Sequence, residues 1–303
     1  MFESLFSQRG LSLDRLRVLL EVHDAGGISQ AVPGNPVRHS QYSRQLRELS
    51  EFFGTEVAQR RGKFVKLTPH GMKLAEISRE YLRALEDLTG ACRGEHDLFT
   101  IAAGDSLMQW LVIPRIGSLL RRLPNVRFAT ESSRTDDIIQ KLSDLRIDFG
   151  LIRKNASLVP GLKAANVGTL SYVVVVPKEL AAKGRRLTLS NVFQLPVAIQ
   201  TTDGQFGKQL FEIARSFTPD FEPALACQSF PQTMAAVRSG RFAAVLPELA
   251  VAELAPASIN KISGPSLQAL SREIVLVWNR RMTGVRPLAS SVADKLTTAM
   301  SFP

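Results

Sequence analysis

Residues 99–110 read FTIAAGDSLMQW, and Ser106 stands where a strand-like run meets a glycine turn. A serine in a sharp turn is one half of a hydrolytic nucleophile. The other half is a base, because a neutral hydroxyl attacks a carbonyl poorly without a neighbour to take its proton. The four histidines are His23, His39, His70 and His96, so none follows Ser106 in the chain. A lysine could replace histidine, but Gln109 occupies the third position after Ser106, where a Ser-x-x-Lys spacing would put one. Nothing in the sequence supplies the base, and the chain is expected not to be an enzyme.

The same turn supports a second chemistry. A strand that ends at Gly104 and a helix that starts near Ser106 expose unpaired backbone N–H groups, to which a bound anion or carbonyl can dock. Asp105 and Ser106 are therefore candidate contacts for a small molecule. Three further sets follow strand-like runs in the same way: Ser132 with Ser133, Thr201 with Thr202, and Ser229 with Phe230. For each, helix capping or turn formation is an equally good reading. Asp105 disfavours a bare dianion, whereas the basic charge of the chain favours an acidic ligand.

Composition sets the frame. The 303 residues suit two domains. They include 38 Lys and Arg against 28 Asp and Glu, a net charge of +10. Residues 1–95 carry only +2 of it and residues 96–303 carry +8. Polyanionic partners are favoured, but the N-terminal case must rest on local pattern. Cys92 and Cys227 form no Cys-x-x-Cys, so neither a metal site nor a disulfide framework is expected. The charged start MFESLFSQRG does not read as a signal peptide. No run approaches the ~20 apolar residues of a membrane span, so a cytoplasmic protein with no membrane partner is expected.

Along the first 95 residues, LDRLRVLLEVHD (13–24) has helical spacing and stops at Gly26-Gly27. Ile28-Ser29 offers the N-cap of a second helix. PVRHSQYSRQLRELSEFF (36–53) is a third, with Val37, Leu46, Leu49, Phe52 and Phe53 expected inward and a polar face outward. EVAQRRGKFVKLT (56–68) alternates around Gly62 as a small basic hairpin. Such a helix suits a DNA major groove, and the hairpin suits phosphate or the minor groove. An ordinary charged helix face is the plainer alternative. Residues 70–90 form a longer helix, on which Leu74, Ile77, Tyr81, Ala84 and Leu88 make a short heptad stripe suited to pairing two chains.

From Leu98 the pattern changes to strands alternating with helices. Strands are expected at 98–104, 126–132, 147–152, 171–177, 196–200, 243–247 and 273–278, with helices at 107–123 and 135–146. That order points to parallel sheets with crossover helices, which bind ligands at the carboxyl ends of their strands.

Several motifs together resemble the LysR-type transcriptional regulators. LRVLLEV, GGISQAV, YSRQLREL and QRRGKFVKLTPHG follow the family's N-terminal winged helix-turn-helix, and VIPRIGSLLRRLPNVRF, LSDLRIDFGL and VRSGRFAAVLPE follow its effector domain. The resemblance implies an all-α winged helix-turn-helix over residues 1–69 and a linker and dimerisation helix over 70–95. It implies an α/β effector domain over 96–303, like a type 2 periplasmic binding protein. Its lobes would be about 96–168 with 272–303, and about 169–271. It also implies a cytoplasmic homodimer or homotetramer that binds promoter DNA, takes a small-molecule effector between its lobes, uses no cofactor, and has RNA polymerase as a further partner. The implied DNA contacts are Arg38, His39, Ser40, Gln41, Ser43, Arg44, Arg60, Arg61 and Lys63.

Two departures matter. PGNP (33–36) interrupts what the family continues as a helix, so the second helix should be about one turn, and Asn35-Pro36 should cap and start the third. RHSQ (38–41) replaces the residues that usually meet bases, so the family's base preference does not carry over. Two rivals remain: a small-molecule binding protein without gene control, and a serine hydrolase of the Gly-Asp-Ser-Leu class. The basic hairpin and the N-terminus stand against the first, and the missing base stands against the second.

Overall fold

After a single helical turn at Glu3–Phe6, Ser12 starts the helix α1 (Leu13–Ala25) by accepting from the Arg15 backbone N–H at 3.3 Å. Gly26 ends it at φ 80°, a left-handed conformation that glycine adopts at little cost. The description that follows rests on a computed structural model covering residues 3–7, 9–61, 64–154, 157–181, 186–200 and 205–303. Residues Met1–Glu95 with Gly284–Arg286 form one unit, and His96–Thr283 with Pro287–Pro303 form another.

In the first unit α2 (Ile28–Ala31) is a single turn, as the following Pro33 requires. Its N-cap is Gly27 and no side chain bonds there, so Ser29 lies inside the turn instead of capping it. At Gly27, φ is 155° and a Cβ would lie 2.9 Å from the Val65 carbonyl oxygen, so only glycine passes. Asn35 Oδ1 then accepts from the Arg38 backbone N–H at 3.0 Å and Pro36 opens α3 (Pro36–Phe53). Tyr42, Leu46, Leu49 and Phe52 are buried, the first three packed with Leu16, Leu19, Val22 and Ile28 of the neighbouring helices. Val37 is 78% exposed, contrary to its expected inward place. Nine residues before Leu46, at about 100° per residue, it lies on the opposite side of the helix. Phe53 is also exposed and rests edge-on against Phe52.

Strands β1 (Ala58–Arg61) and β2 (Phe64–Leu67) pair antiparallel as the expected hairpin. Thr68 then caps α4 (Pro69–Cys92): its hydroxyl donates to the Glu56 carbonyl (2.6 Å) and accepts from the Gly71 N–H (3.1 Å). Along α4, Ile77, Tyr81 and Leu88 of the heptad stripe are exposed, while Leu74 packs on the core of this unit. Arg286 also belongs to this unit, and its guanidinium grips Asp87 of α4 at 2.6 and 3.0 Å.

The second unit holds two five-stranded sheets. One runs β4 (Val126–Ser132), β3 (Asp97–Ala103), β5 (Phe149–Arg153), β12 (Arg272–Asn279), β6 (Leu162–Leu170). The other runs β11 (Ile259–Ile262), β7 (Tyr172–Pro177), β10 (Ala243–Pro247), β8 (Val197–Gln200), β9 (Leu225–Cys227). The sheets are mixed, which corrects the all-parallel expectation. β12 runs antiparallel to β5 and β6, and β7 runs antiparallel to β10 and β11. Each returning strand crosses from one sheet to the other. One continuous apolar core joins both sheets, and β7 is buried along its whole length, as the run of valines demands.

The helix expected at 107–123 is broken. Asp105–Leu107 makes one turn, Met108–Val112 winds as a π turn, and α5 (Ile113–Arg122) follows. Pro114 lacks the N–H that an α-helix would aim at the Trp110 carbonyl, and the Ile113 N–H bonds back to the Met108 carbonyl. The remaining helices that bear on the site are α6 (Thr135–Ser143), α7 (Gln205–Phe217), α8 (Phe230–Arg238) and α9 (Ala289–Met300).

Gly71 gives the sharpest test of the first unit. A Cβ there would sit 1.9 Å from the Val57 carbonyl oxygen, so α4 must retreat from the hairpin. Gly71→Ala should destabilise this unit by about 2–3 kcal/mol in urea unfolding of the full chain.

Candidate nucleic-acid interface and ligand cleft

The buried stripe of α3 decides which residues point outward. Arg38, Ser40, Gln41 and Arg44 are exposed, and His39 and Ser43 are half-buried beside them. Arg44 Nε stands 3.7 Å from Glu48 Oε1, while the other oxygen of Glu48 holds Arg15 of α1 at 2.5–2.6 Å. Arg38 Nη2 donates to the Tyr42 hydroxyl at 3.0 Å. On the hairpin, Arg60 lies opposite Val65 and is exposed, and Arg61 lies opposite Phe64 at the end of β1. Lys63 lies outside the described residues. The structure therefore brings Ser40, Gln41 and Arg44 onto the outward side of α3, while Arg38, exposed in the first turn, stands one turn before Tyr42 on the side of the helix that turns inward. The outward set, with donors and acceptors on one face of a helix, suits base edges in a major groove.

In the second unit the predicted ligand contacts gather at strand carboxyl ends. Asp105 is exposed and Ser106 half-buried in the turn after β3. Ser132 ends β4 in register with Ala103, and the Ser133 N–H donates to the Ala103 carbonyl at 3.0 Å. The turn that carries Ser106 packs against α8, whose N-cap is Ser229. Ser229 Oγ accepts from the Gln232 N–H at 3.4 Å, so its hydroxyl serves the helix. Phe230 is only 5% exposed and stacks into an aromatic group with Tyr172 and Phe206, at 5.7 and 5.2 Å between ring centres. It walls the site from the core side instead of presenting a free face. Thr201 and Thr202 lie outside the described residues.

Three groups here were missed in the sequence. Tyr172 carries a phenol at the head of an otherwise aliphatic strand. Burial pushes its pKa up to about 12, against the pull of Arg153 and Arg272. Its signal was one polar tip in SYVVVVP. The Trp110 indole N–H is buried in the π turn with no hydrogen-bond partner among the described residues. π turns recur at functional sites, and Pro114 four residues on was the readable sign. Third, Lys141 of α6 and the Ser133 hydroxyl both donate to Glu131 and hold its carboxyl below its ordinary value. Ser133 is thereby engaged with Glu131. Among the described residues no group of His, Cys, Asp and Glu is placed to hold a metal ion, and no helix is long and apolar enough to cross a membrane.

A winged helix-turn-helix unit followed by a two-sheet α/β unit is the architecture of a bacterial transcriptional regulator with an effector-binding domain. The comparisons agree: residues 13–72 match the bacterial regulatory helix-turn-helix protein model of the lysR family, and residues 93–300 match the LysR substrate binding domain. The chain belongs to the LysR family of transcriptional regulators. It is similar to an HTH-type transcriptional regulator of Mycobacterium bovis, 23% identical over 307 residues and covering 96% of this chain and 97% of that one. Among solved structures it resembles ArgP from Mycobacterium tuberculosis (TM-score 0.66, 16% identity, 95% of this chain and 96% of that chain). It also resembles full-length CbnR complexed with its target DNA (TM-score 0.53, 16% identity, 96% of this chain and 100% of that chain).

Glu131 gives a pH test of the cleft edge. A carboxyl held below its ordinary 4.5 contributes stability above that pH and loses it as pH falls through the folded value. The gap in unfolding temperature between the wild type and Glu131→Gln should therefore be widest at neutral pH. It should close in acid, as read by scanning calorimetry between pH 7 and pH 3.

Proposed function

We propose that this protein binds a two-fold symmetric promoter site as a homodimer or homotetramer, reading bases with α3 and touching the backbone with the hairpin. Binding would be modulated by a small molecule held at the strand ends of the second unit. The observation that carries the reading is the exposed set Ser40, Gln41 and Arg44, turned outward by the burial of Tyr42, Leu46 and Leu49 on the same helix, with Arg38 exposed at its first turn. Arginine meets guanine bidentately and glutamine meets adenine, and the hairpin arginines Arg60 and Arg61 neutralise phosphates. CbnR, solved with its target DNA, shares this chain's fold.

The exposed Ile77, Tyr81 and Leu88 of α4 supply an apolar stripe for a second copy. A two-fold dimer would then present two α3 helices to half-sites about one DNA turn apart. The effector acts only through a difference in its affinity for two arrangements of the protein. The strand-end cluster of Asp105, Ser106, Ser132 and the backbone N–H groups of the turn suits a small polar molecule with a carbonyl or carboxylate. RNA polymerase is the downstream partner of such a regulator, and the cytoplasm is its place of work.

The test uses the full chain and duplex DNA from upstream of its own gene, followed by fluorescence anisotropy. Arg44→Ala should weaken specific binding roughly 10- to 100-fold with the unfolding midpoint unchanged. Wild-type affinity should fall steeply as salt rises. Wild-type affinity in the folded Arg44→Ala protein would overturn the assignment of α3 as the reading helix.

A further inference from the structure

Arg38 occupies the third position of α3, in the first turn, where the helix dipole opposes a positive charge. The Asn35 side chain is already spent on the Arg38 backbone N–H, so the arginine side chain contributes nothing to capping. It is held from elsewhere. One turn on, Tyr42 is 4% exposed, and its hydroxyl accepts from Arg38 Nη2 at 3.0 Å and donates to Glu21 of α1. The Arg38 guanidinium also lies 5.5 Å from the centre of the Tyr42 ring. Arg17, one turn before Glu21, stands 3.9 Å from the other oxygen of that carboxylate. A phenylalanine would fill the space of Tyr42 without a polar tip that needs partners. The phenol is there for its oxygen. Burial and the Glu21 carboxylate hold its pKa above the ordinary range, so it stays protonated and keeps donating.

We propose that Glu21 and Tyr42 form a positioning relay from α1 to α3 that fixes the Arg38 guanidinium for one guanine in each half-site. Glu21 and Tyr42 are positioning residues, and Arg38 alone touches the base. An unrestrained arginine at a helix start samples many rotamers and loses them on binding. With one edge of its fork tied to Tyr42, Arg38 reaches the groove already oriented, and bidentate geometry rewards that orientation. The inference rests on α3 being the reading helix, and the experiment separates the two.

Duplexes with a randomised site are selected with the full-length wild type, Tyr42→Phe, Glu21→Gln, Arg38→Ala and Arg44→Ala, with thermal unfolding of each as control. The relay predicts that Tyr42→Phe keeps its fold and most of the selected site. It should lose the guanine preference at one symmetric pair of positions by about tenfold, matching Arg38→Ala at those positions alone. Combining Arg38→Ala with Tyr42→Phe should lose no more than Arg38→Ala does. Glu21→Gln retains a hydrogen-bonding side chain without the charge and should show a smaller loss at the same positions. If Tyr42→Phe and Glu21→Gln keep the preference that Arg38→Ala loses, the relay is overturned while α3 remains the reader. If Arg38→Ala and Arg44→Ala both select the wild-type site, the reading helix itself is misassigned and the relay falls with it.

Discussion

The first unit depends on the burial of one stripe of α3: Tyr42, Leu46 and Leu49 against α1 and α2. Burying that stripe fixes the roll of the helix about its own axis. The magnitudes show why the stripe governs. Each of its buried leucines is worth about 2–5 kcal/mol against truncation. An exposed ion pair such as Arg44 with Glu48 contributes about 1 kcal/mol or less. A rotation of one residue, about 100°, would bury Ser43 and expose Tyr42. Asn35 and Pro36 fix the remaining variable, the point at which the helix begins. With roll and start fixed, the outward side of Ser40, Gln41 and Arg44 follows from the core, and Arg38 is left exposed at the first turn, beside Tyr42.

Much of this was legible in the sequence because the period-3.6 pattern and the capping residues act locally. The one-turn α2, the Asn35 cap, the hairpin and the strand at 126–132 all follow from residues within a few positions of one another. The errors arise where longer-range or opposing forces decide. Strand direction is not written into a strand's own residues, so β7 and β12 were read as parallel partners although each returns antiparallel between the sheets. β6 and β11 escaped notice because their burial is patchy and their apolar runs are weak. Val37 is apolar but lies on the wrong side of its helix. The π turn required weighing the missing N–H of Pro114 against a strongly apolar helical run.

The proposed ligand contacts were legible only as a list of positions. Strand ends followed by serine or threonine mark where carboxyl ends converge, and Asp105, Ser106 and Ser132 do share the end of one sheet. The role of each side chain was not readable there, since capping and ligand contact call for the same residue types. Packing separates them. Ser229 serves its own helix, Ser133 serves Glu131, and Phe230 serves the aromatic core. Ser106 stands in the turn between β3 and the π helix, with no histidine later in the chain to act as its base.

Charge placement explains how a DNA-reading unit can carry a net charge of only +2 over residues 1–95. Its acids are used between helices. Glu48 joins Arg15 to Arg44, Glu21 meets Tyr42 behind Arg38, and Asp24 pairs with Arg79 of α4. Each ties an arginine, directly or through a hydroxyl, to a second element. The acids thereby lower the total charge while organising the basic surface. A higher net charge would raise affinity for any duplex, because phosphate contacts carry no sequence information. Holding arginines in fixed places costs some of that affinity and returns it as discrimination between sequences. On the proposed reading, the same carboxylates that hide the unit from a simple charge count also serve its specificity.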